Sequence, residues 1–572
     1  MLNLIIRLKA HLSLNRKKQL YFLLLLMVSL SFAEVISLAS IVPFISVFLN
    51  PDLFYSHTWL SPFIDFFKIQ NTDQLFLFVT IVFVCLVLIS GLIKLLSVYQ
   101  SNKITNLTEA DIKVKIFENN INQSYNYHLK QGSNVIMSSI VQKTSLVAAF
   151  LDDFIAIISG TITLLLIFIF LVFLKPFIIL PILFFLIIFF AIIFFANKKK
   201  IIENSKRISQ NQNKIINIFQ NSIGCVNETI IYSLHNIFIS KFNKAANIIA
   251  DHMTYMHNKT KSPRIYLEYT ALLCFAIIVF LFYSGKSEID SSLAVLAALG
   301  LGTQKMLPLI NRIHTAFTRM KNFQASVKDT LDILDNSKKE KENNLSLEKI
   351  FFKKTIKLNN VYFSYNIKNN WILDNINVVI KKGSKVGIKG ATGSGKSTLG
   401  NIIIGLLDPT KGQLFVDDIL INSQNKSSWY KDISIIPQKI FLNDVSIAEN
   451  IAIGVDPKEI NLEKVKNAAK QAHINDFIES IPNQYNEKVG ERGIRLSGGQ
   501  QQRIGIARAL YRKAKIILFD EATNQLDIDT ETLIMDSIHS LDKEITVILI
   551  AHRLSTLENC DQIIDLSRNL ND

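Results

Sequence analysis

The spacing of apolar residues changes about 310 residues into the chain. Before that point they form long blocks with few charges, and afterwards they form short runs between glycine, polar and charged residues. A block of about 20 apolar residues spans a bilayer as a helix, whereas runs of four to eight are typical of buried strands. The 572-residue chain is 49% hydrophobic with a mean hydropathy of +0.28. The pattern therefore predicts a membrane domain followed by an α/β domain.

The apolar blocks predict six transmembrane helices. They run over Leu20–Leu49, Leu75–Tyr99, Phe154–Leu174, Pro176–Ala196, Glu268–Gly285 and Ser291–Ile313. Pro43 interrupts the first span, and only Lys175 and Pro176 separate the third from the fourth, which predicts a tight helical hairpin. The alternative, a buried helix of a soluble protein, rarely remains uncharged over such a length.

Basic residues flank one side of these spans. They are Arg16, Lys17 and Lys18 before the first span, Lys198, Lys199 and Lys200 after the fourth, and Arg312, Arg319 and Lys321 at the end of the sixth. Because cytoplasmic loops are rich in lysine and arginine, both chain ends are predicted to be cytoplasmic. The net charge of +15 is assigned to the anionic inner leaflet, since no nucleic-acid motif accompanies it. No nucleic-acid partner is expected.

Two further features exclude other classes. The apolar core of the first span is too long for a cleaved signal peptide, and no small-residue cleavage site follows it. The four cysteines have no C-x-x-C spacing, so they predict neither a disulfide framework nor a metal site. They are Cys85, Cys225, Cys274 and Cys560.

A phosphate-binding loop follows the predicted strand Lys385–Ile388 and precedes the predicted helix Leu399–Leu407. Its sequence GATGSGKS fits the pattern G-x-x-x-x-G-K-[ST]. Backbone N–H groups and the helix N-terminus would hold the phosphates of ATP, the lysine would reach the β and γ phosphates, and the serine hydroxyl would hold Mg²⁺. The candidate residues are Gly390, Ala391, Thr392, Gly393, Ser394, Gly395, Lys396, Ser397 and Thr398.

Two acidic residues follow the apolar run Ile516–Phe519. A carboxylate at the C-terminal end of a buried parallel strand lies where such sheets bind ligands. Asp520 is therefore predicted to hold Mg²⁺, and Glu521 to polarise the attacking water. Adjacent acids in a solvated loop are the alternative, which the phosphate loop disfavours.

LSGGQ at Leu496–Gln500 adds the motif that, together with the phosphate loop, resembles the ATP-binding cassette (ABC) superfamily over the whole chain. The resemblance implies that Ser497, Gly498, Gly499 and Gln500 bind ATP held by a second copy of the domain. It also implies that Tyr365 stacks on adenine, that Gln438 senses Mg²⁺ and the attacking water, that Asp527 lies in the loop after the catalytic acid, and that His552 contacts the γ-phosphate. The family usually has Ser-Ala-Leu-Asp where this chain has Asn524–Asp527, a change that is expected to spare hydrolysis.

The fold expected from this resemblance is an exporter-type one. It consists of a six-span helical transmembrane domain (1–335) with long cytoplasmic extensions, a linker (336–349) and an α/β P-loop nucleotide-binding domain (350–572). Short helices near Ser124–Ser133 and Cys225–His235 are expected to dock on nucleotide-binding domains, with Gly490–Gly493 in the receiving surface. The implied assembly is a homodimer with two competent sites.

Three segments narrow the resemblance further: Ser31–Phe44, Ser262–Glu268 and Met306–Ile313. They are similar to segments of bacterial PglK-type exporters, which flip lipid-linked oligosaccharides, polyprenyl pyrophosphate sugars, across the inner membrane. The implied function is ATP-driven flipping of such a glycolipid. Exporters of lipid A, phospholipid, drugs or peptides share the same motifs and remain the alternative. A soluble chromosome-maintenance ATPase would need coiled coils instead of apolar spans, and a non-transporting regulator would have lost catalytic residues.

Cations inside or beside membrane spans are costly and indicate a function by default. Lys94, Arg264 and Arg312 are such residues, and a pyrophosphate headgroup would justify a basic cavity. The alternatives are that Lys94 reaches the interface, that Arg264 pairs with Glu268, and that Arg312 marks the membrane boundary. Trp59–Phe67 has the pattern of an amphipathic helix at the outer surface, where it would meet the lipid tail.

Overall fold

The computed structural model describes residues 1–49, 71–130, 137, 139–174, 198–284, 289–341, 350–365, 371–521, 532, 535, 538, 542–551 and 557–566. The chain divides into two units. The first comprises Met1–Gln123 and Gln131–Ser337, and the second comprises Ser124–Lys130 and Lys338–Asp572. The long apolar blocks fall in the first unit.

The described part of the first unit is helical. Its helices before residue 175 are α1 (Leu2–His11), α2 (Leu14–Ala39), α3 (Ile41–Leu49), α4 (Thr72–Ile121) and α6 (Thr144–Leu174). The short helix α5 (Tyr125–Lys130) lies between α4 and α6 in the sequence but groups with the second unit. A π-helical turn at Ser139–Lys143 leads into α6. After residue 197 follow α7 (Lys198–Gly224), α8 (Val226–Ile231), α9 (His235–Ser284) and α10 (Ile289–Lys341).

Three helical stretches in the described residues are long and apolar enough to cross a membrane. They are Leu14–Leu49, Thr72–Ile121 and Thr144–Leu174, and they contain the first three predicted spans. The fifth predicted span lies in α9 up to Ser284, and the sixth lies in α10. The fourth span, the hairpin turn before it and the amphipathic pattern at Trp59–Phe67 fall outside the described residues.

Pro43 accounts for the break in the first span. It lies in the first turn of α3, where backbone N–H groups have no intrahelical acceptor and proline is tolerated. In a continuous helix its missing N–H would leave the carbonyl of Ala39 without a donor, and α2 ends at that residue. The ladder resumes with the Phe44 N–H donating to Ser40 O at 3.3 Å.

Helices α4 and α9 extend well beyond a bilayer. Each contains 50 residues, which corresponds to about 75 Å at 1.5 Å per residue, against a hydrocarbon core of about 30 Å. The short helices α5 and α8 lie where the sequence predicted tip helices. Helix α10 continues to Lys341, into the segment predicted as linker.

Ion pairs join α1 to the C-terminal part of α10. The Arg7 Nη2 lies 2.7 Å from Asp332 Oδ1 and 2.5 Å from Asp335 Oδ2. The His11 Nε2 lies 2.6 Å from Asp335 Oδ1, and its side chain is only 4% exposed. Apolar residues of both helices share one buried cluster. The N-terminal helix is thus fixed to the helix that leads into the second unit.

This junction gives the stability of the first unit a defined pH dependence. Burial pushes the pKa of Asp335 upward, but hydrogen bonds from His11 and Arg7 outweigh it and hold that pKa below its ordinary value. A lowered carboxyl pKa stabilises the fold above the unfolded-state value and loses that contribution as the pH falls through the folded-state value. Asp335→Asn should lower the unfolding temperature by about 2 °C at pH 7. The difference from wild type, measured by intrinsic fluorescence, should vanish as the pH falls from about 5 towards 3; a difference that persists there would contradict this assignment.

The described second unit contains two sheets. Strands β1 (Thr355–Phe363), β2 (Leu373–Lys381), β4 (Lys411–Val416) and β5 (Ile419–Leu420) form an antiparallel sheet of order β2-β1-β4-β5. Strands β3 (Lys385–Lys389), β6 (Ile433–Ile436), β7 (Ile516–Asp520), β8 (Thr546–Ile550) and β9 (Gln562–Asp565) form a parallel sheet of order β6-β7-β8-β3-β9. The described helices of this unit, besides α5, are α11 (Lys396–Ile403), α12 (Lys426–Trp429), α13 (Ile447–Ile451), α14 (Leu462–Gln471), α15 (Asn475–Ser480) and α16 (Gly498–Tyr511).

The central strands of the parallel sheet are buried along their length. Every residue of β8 is buried, as are the first four of β7, because continuous apolar runs suit a sheet that is covered on both faces. Two apolar clusters contain these strands and the helices around them. The carboxyl ends of β3 and β7 consequently meet at one edge of the sheet, where parallel α/β sheets bind ligands.

Candidate functional site

The phosphate loop lies between β3 and α11. Gly393 and Gly395 have φ of +85° and +90°, and Gly395 is the N-cap of α11. A Cβ on Gly395 would lie 2.9 Å from Ile372 Cγ2, so this position excludes side chains by both backbone conformation and space. The loop therefore leaves the N-terminus of α11 open to an anion.

Two polar side chains of this loop, Ser394 and Lys396, are buried. The Lys396 ammonium donates to the carbonyls of Gly390 and Ala391, at 3.0 Å each, and the residue is only 5% exposed. Ser394 Oγ is buried and has no hydrogen-bond partner among the described residues. Phosphate oxygens would satisfy both groups, so the residues present fit a nucleotide.

The predicted magnesium ligands lie together. Ser397 Oγ donates to Asp520 Oδ1 at 2.8 Å, which joins the start of α11 to the end of β7. Burial raises the pKa of Asp520, and the charge of Glu521 adds to this, while the Ser397 hydrogen bond and Lys396 act in the opposite direction. A hydroxyl oxygen beside a carboxylate is a donor set that Mg²⁺ prefers. A bound Mg²⁺ would take the place of the proton that burial favours on Asp520.

Glu521 is held by its backbone. Its φ of +52° is uncommon for a residue other than glycine, and its N–H donates to Ile550 O at 3.0 Å. Gln438 Nε2 donates to Glu521 Oε2 at 3.2 Å, so these two predicted catalytic residues are in contact. The constrained backbone and the Gln438 contact fix the carboxylate, whose charge acts on Asp520, one of the predicted magnesium ligands.

Tyr365 lies beside the start of α11. Its hydroxyl is 3.3 Å from Thr398 Oγ1, its ring packs edge-on against Phe363 with centroids 5.0 Å apart, and the residue is 43% exposed. An aromatic ring fixed at one edge and open to solvent could stack on a base. Stacking of Tyr365 on adenine stays a prediction.

The LSGGQ motif begins α16. Ser497 is the N-cap, and it forms a reciprocal capping box with Gln500. Both Ser497 and Gly498 are exposed, so the positive end of the helix dipole faces solvent. Asp527 and His552 lie outside the described residues.

A second site lies in the first unit, where helices α6, α9 and α10 line a cavity of about 340 Å³. It brings together Arg264 and Arg312, two of the three predicted substrate residues. Both are exposed, and neither has a hydrogen bond or an ion pair among the described residues; the Glu268 partner considered for Arg264 is not engaged. The lining residues are Asp152, Asp153, Ala156, Arg264, Pro308, Asn311, Arg312, Thr315, Ala316 and Arg319.

Lys94 does not line this cavity. Its ammonium donates to Glu34 Oε1 at 2.8 Å, in an ion pair between α4 and α2 in which the Glu34 side chain is 10% exposed. This pair supplies a structural reason for a cation within a span. Lys94 therefore stays a prediction that the cavity geometry does not support.

The sequence did not predict that Asp152 and Asp153 line a cavity, and it predicted for Arg319 only a position at the cytoplasmic end of the sixth span. A signal was available, because two consecutive acids directly precede the uncharged run of the third span. Ionisable residues at such positions generally face a protein interior or a cavity. The ion-pair partner of Asp153, Arg319, lies far along the chain and could not be read from local sequence.

Comparisons with known proteins place two family regions along this chain. The family described as "ABC transporter" matches residues 373–524, and the family "ABC transporter transmembrane region" matches residues 18–295. A solved structure titled "Structure of a bacterial Atm1-family ABC exporter with ATP bound" superposes with a TM-score of 0.79 over 96% of this chain and 94% of that one, at 21% identity. That likeness establishes the fold alone.

Curated relatives match over shorter stretches. The ATP-dependent lipid A-core flippase of Pseudoalteromonas translucida is 33% identical over 325 residues, 55% of each chain. The alpha-hemolysin translocation ATP-binding protein HlyB of Escherichia coli is 38% identical over 282 residues, 49% of this chain and 39% of that one. The chain thus spans about half the length of the curated relatives it matches.

The phosphate loop, the paired Ser397 and Asp520, the LSGGQ helix and the two matching families define a membrane-embedded transporter protein with an ATP-binding domain. The chain belongs to the ABC transporter superfamily and has the architecture of an exporter-type half-transporter.

Proposed function

We propose that this protein is an ATP-driven exporter that flips a phosphate-bearing glycolipid, of the lipid-linked oligosaccharide kind, across the bacterial inner membrane. The observation that carries the proposal is the arginine-lined cavity in a membrane unit that is joined in one chain to a phosphate-binding loop with the predicted magnesium and hydrolytic residues beside it. The division into residues 1–335, 336–349 and 350–572 is part of the proposal.

The nucleotide site supports ATP hydrolysis. Lys396 and the N-terminus of α11 would bind the phosphates, Ser397 and Asp520 would hold Mg²⁺ with Gln438 beside them, and Tyr365 would stack on adenine. Mg²⁺ would neutralise charge on the phosphates. Glu521 would orient and polarise the attacking water, and His552 would contact the γ-phosphate, with Asp527 in the neighbouring loop.

A homodimer is the assembly that these features favour. The exposed N-terminus of α16 would complete the ATP site of the other copy, since Ser497 and Gly498 are exposed in the single chain. The end of the short helix α8 also exposes apolar side chains that a partner would cover. Ile230, Ile231 and the following Tyr232 are 60%, 74% and 68% exposed. An apolar cluster of this kind on a cytoplasmic tip is typical of a binding surface, and we assign it to the nucleotide-binding unit of the second copy.

The cavity supports the proposed substrate class. Arginine binds phosphate oxygens through pairs of N–H groups, so Arg264 and Arg312 favour an anionic headgroup over a neutral drug. The relative named as a lipid A-core flippase is consistent with a lipid substrate. The second candidate function is therefore export of lipid A itself, while the toxin-translocation relative keeps a peptide as the weaker alternative.

The test is the ATPase activity of the purified dimer in nanodiscs. We expect stimulation by a polyprenyl-pyrophosphate oligosaccharide that exceeds stimulation by lipid A or a hydrophobic drug. The double variant Arg264→Ala/Arg312→Ala should lose at least about 80% of that stimulation, since each lost charge-assisted contact weakens binding by about tenfold, while basal hydrolysis stays unchanged.

Arg207→Ala is the matched control. Arg207 is an exposed arginine of the same unit that pairs with Glu203 on its own helix, outside the cavity. Its removal should leave stimulation intact. Preferential stimulation by lipid A would select the second candidate, and stimulation by the drug alone would reject an anionic headgroup.

A further inference from the structure

A buried carboxylate lies inside the arginine-lined cavity. Asp153 is only 3% exposed, and its Oδ2 lies 3.1 Å from Arg319 Nε, in an ion pair between α6 and α10. The Arg319 side chain is 45% exposed, at the rim of the same cavity. Arg312 is near enough for its charge to act on Asp153 as well.

This carboxylate is held by charge more than by hydrogen bonds. Among the described residues, Arg319 is its ion-pair partner, and no donor reaches the buried Oδ2 with hydrogen-bond geometry. A buried carboxylate is ordinarily satisfied by several donors, because leaving it unsatisfied costs free energy. The Asp153–Arg319 pair is therefore an exchangeable contact, and a phosphate could replace the carboxylate on Arg319.

The charges of the cavity explain why such a residue would be useful. Three arginines line it, and without acidic residues they would hold a diphosphate so tightly that release would be slow. Transport requires binding that is strong enough for entry and weak enough for release, as in ion pathways. The Asp153 carboxylate lowers the affinity of the cavity for the diphosphate, and it pairs with Arg319 again when the ligand leaves.

We propose that Asp153 is the built-in counter-ion of an anion-binding cavity: a phosphate-bearing headgroup displaces it from Arg319, and its return to Arg319 releases the headgroup. The inference rests on the proposed function for the identity of the headgroup. Asp153 thus lowers the affinity of the site for the headgroup, and Arg319 contacts the headgroup only when ligand is bound.

The test is equilibrium binding of farnesyl diphosphate, farnesyl monophosphate and farnesol to the full-length protein in neutral phosphatidylcholine nanodiscs. Saturating Mg-ADP occupies the nucleotide sites, so that the phosphate loop does not contribute. Asp153→Asn removes one negative charge at short range and should tighten farnesyl diphosphate binding about tenfold, with a smaller gain for the monophosphate and none for farnesol.

Arg319 provides the matched variants. Arg319→Gln leaves Asp153 without its partner and should weaken diphosphate binding about tenfold. The double variant Asp153→Asn/Arg319→Gln restores the net charge of the cavity and should return the affinity to near the wild-type value. If the ion pair only clamps α6 to α10, both single variants should instead weaken diphosphate binding, and the double variant should be as impaired as they are. Gel filtration and thermal unfolding establish that each variant is folded.

In the turnover assay, Asp153→Asn should lower both the lipid concentration for half-maximal stimulation and the maximal rate, because release becomes slow. Probe binding that is unchanged or weaker in Asp153→Asn would overturn the counter-ion role and leave the proposed function standing. A wild-type protein that binds neither phosphate probe would overturn the cavity as an anion site. Normal probe binding without lipid-stimulated hydrolysis would count against the proposed function alone.

Discussion

Replacing Glu521 with glutamine will lower steady-state ATP hydrolysis at least about a hundredfold while nucleotide binding stays close to wild type. General-base assistance contributes about 10² to 10⁴ to a rate, and glutamine retains the size and hydrogen bonding of the side chain but cannot accept a proton. The backbone of Glu521 is fixed by its positive φ and its bond to Ile550 O, so the variant should keep its geometry. Single-turnover hydrolysis and equilibrium binding of ATP separate the two effects.

Glu544→Gln is the control for this variant. Glu544 is 77% exposed and pairs with Lys382, on the same unit but away from the site. It makes the same chemical change and should leave turnover unaltered. Full turnover in Glu521→Gln would mean that another group activates the water, and Gln438 and His552 would then be the residues to replace next.

Local signals account for the parts of the site that the sequence predicted. The phosphate loop and the two acids at the carboxyl end of β7 are each encoded within a few consecutive residues, and strand order places them at one sheet edge. Their chemistry could therefore be read before the fold was known. Gln438 lies 83 residues before Glu521 in the chain, so their contact could not be read from local sequence, and only the family resemblance had singled out Gln438.

The membrane cavity was only partly predictable, for a physical reason. The cost of a cation near a span identified Arg264 and Arg312, but it also identified Lys94, whose partner Glu34 lies 60 residues away on another helix. Hydropathy reports how a residue interacts with lipid and carries no information on which helices pack together. The Asp153–Arg319 pair depends on that packing and so emerges only from the structure.

The break in the first span was also only partly predictable. Its 30-residue apolar block exceeded the length that a straight helix needs, and Pro43 marked an interruption whose exact place depends on backbone hydrogen bonds. The helix is interrupted at Ser40, three residues before Pro43, because proline fits the first turn of a helix and not its interior.

Replacing Lys396 with alanine will weaken ATP binding by about 10- to 100-fold and abolish measurable turnover at millimolar ATP. The Lys396 ammonium is nearly buried and contacts only the carbonyls of Gly390 and Ala391 among the described residues, in the loop where the phosphates would lie. Hydrogen bonds to a charged group contribute about 1.5 to 3 kcal/mol each, which corresponds to this loss of affinity.

Lys389→Ala distinguishes this loss from a general loss of positive charge at the sheet edge. Lys389 is the last residue of β3 and pairs with Asp565 at 3.1 Å, next to the loop but not within it. Binding of a fluorescent ATP analogue should be near normal in Lys389→Ala and weak in Lys396→Ala, and the defect should be smaller for AMP, which lacks the β and γ phosphates. Equal losses for ATP and AMP would mean that Lys396 supports the loop itself, because a residue that acts on the outer phosphates cannot discriminate against a nucleotide that has none.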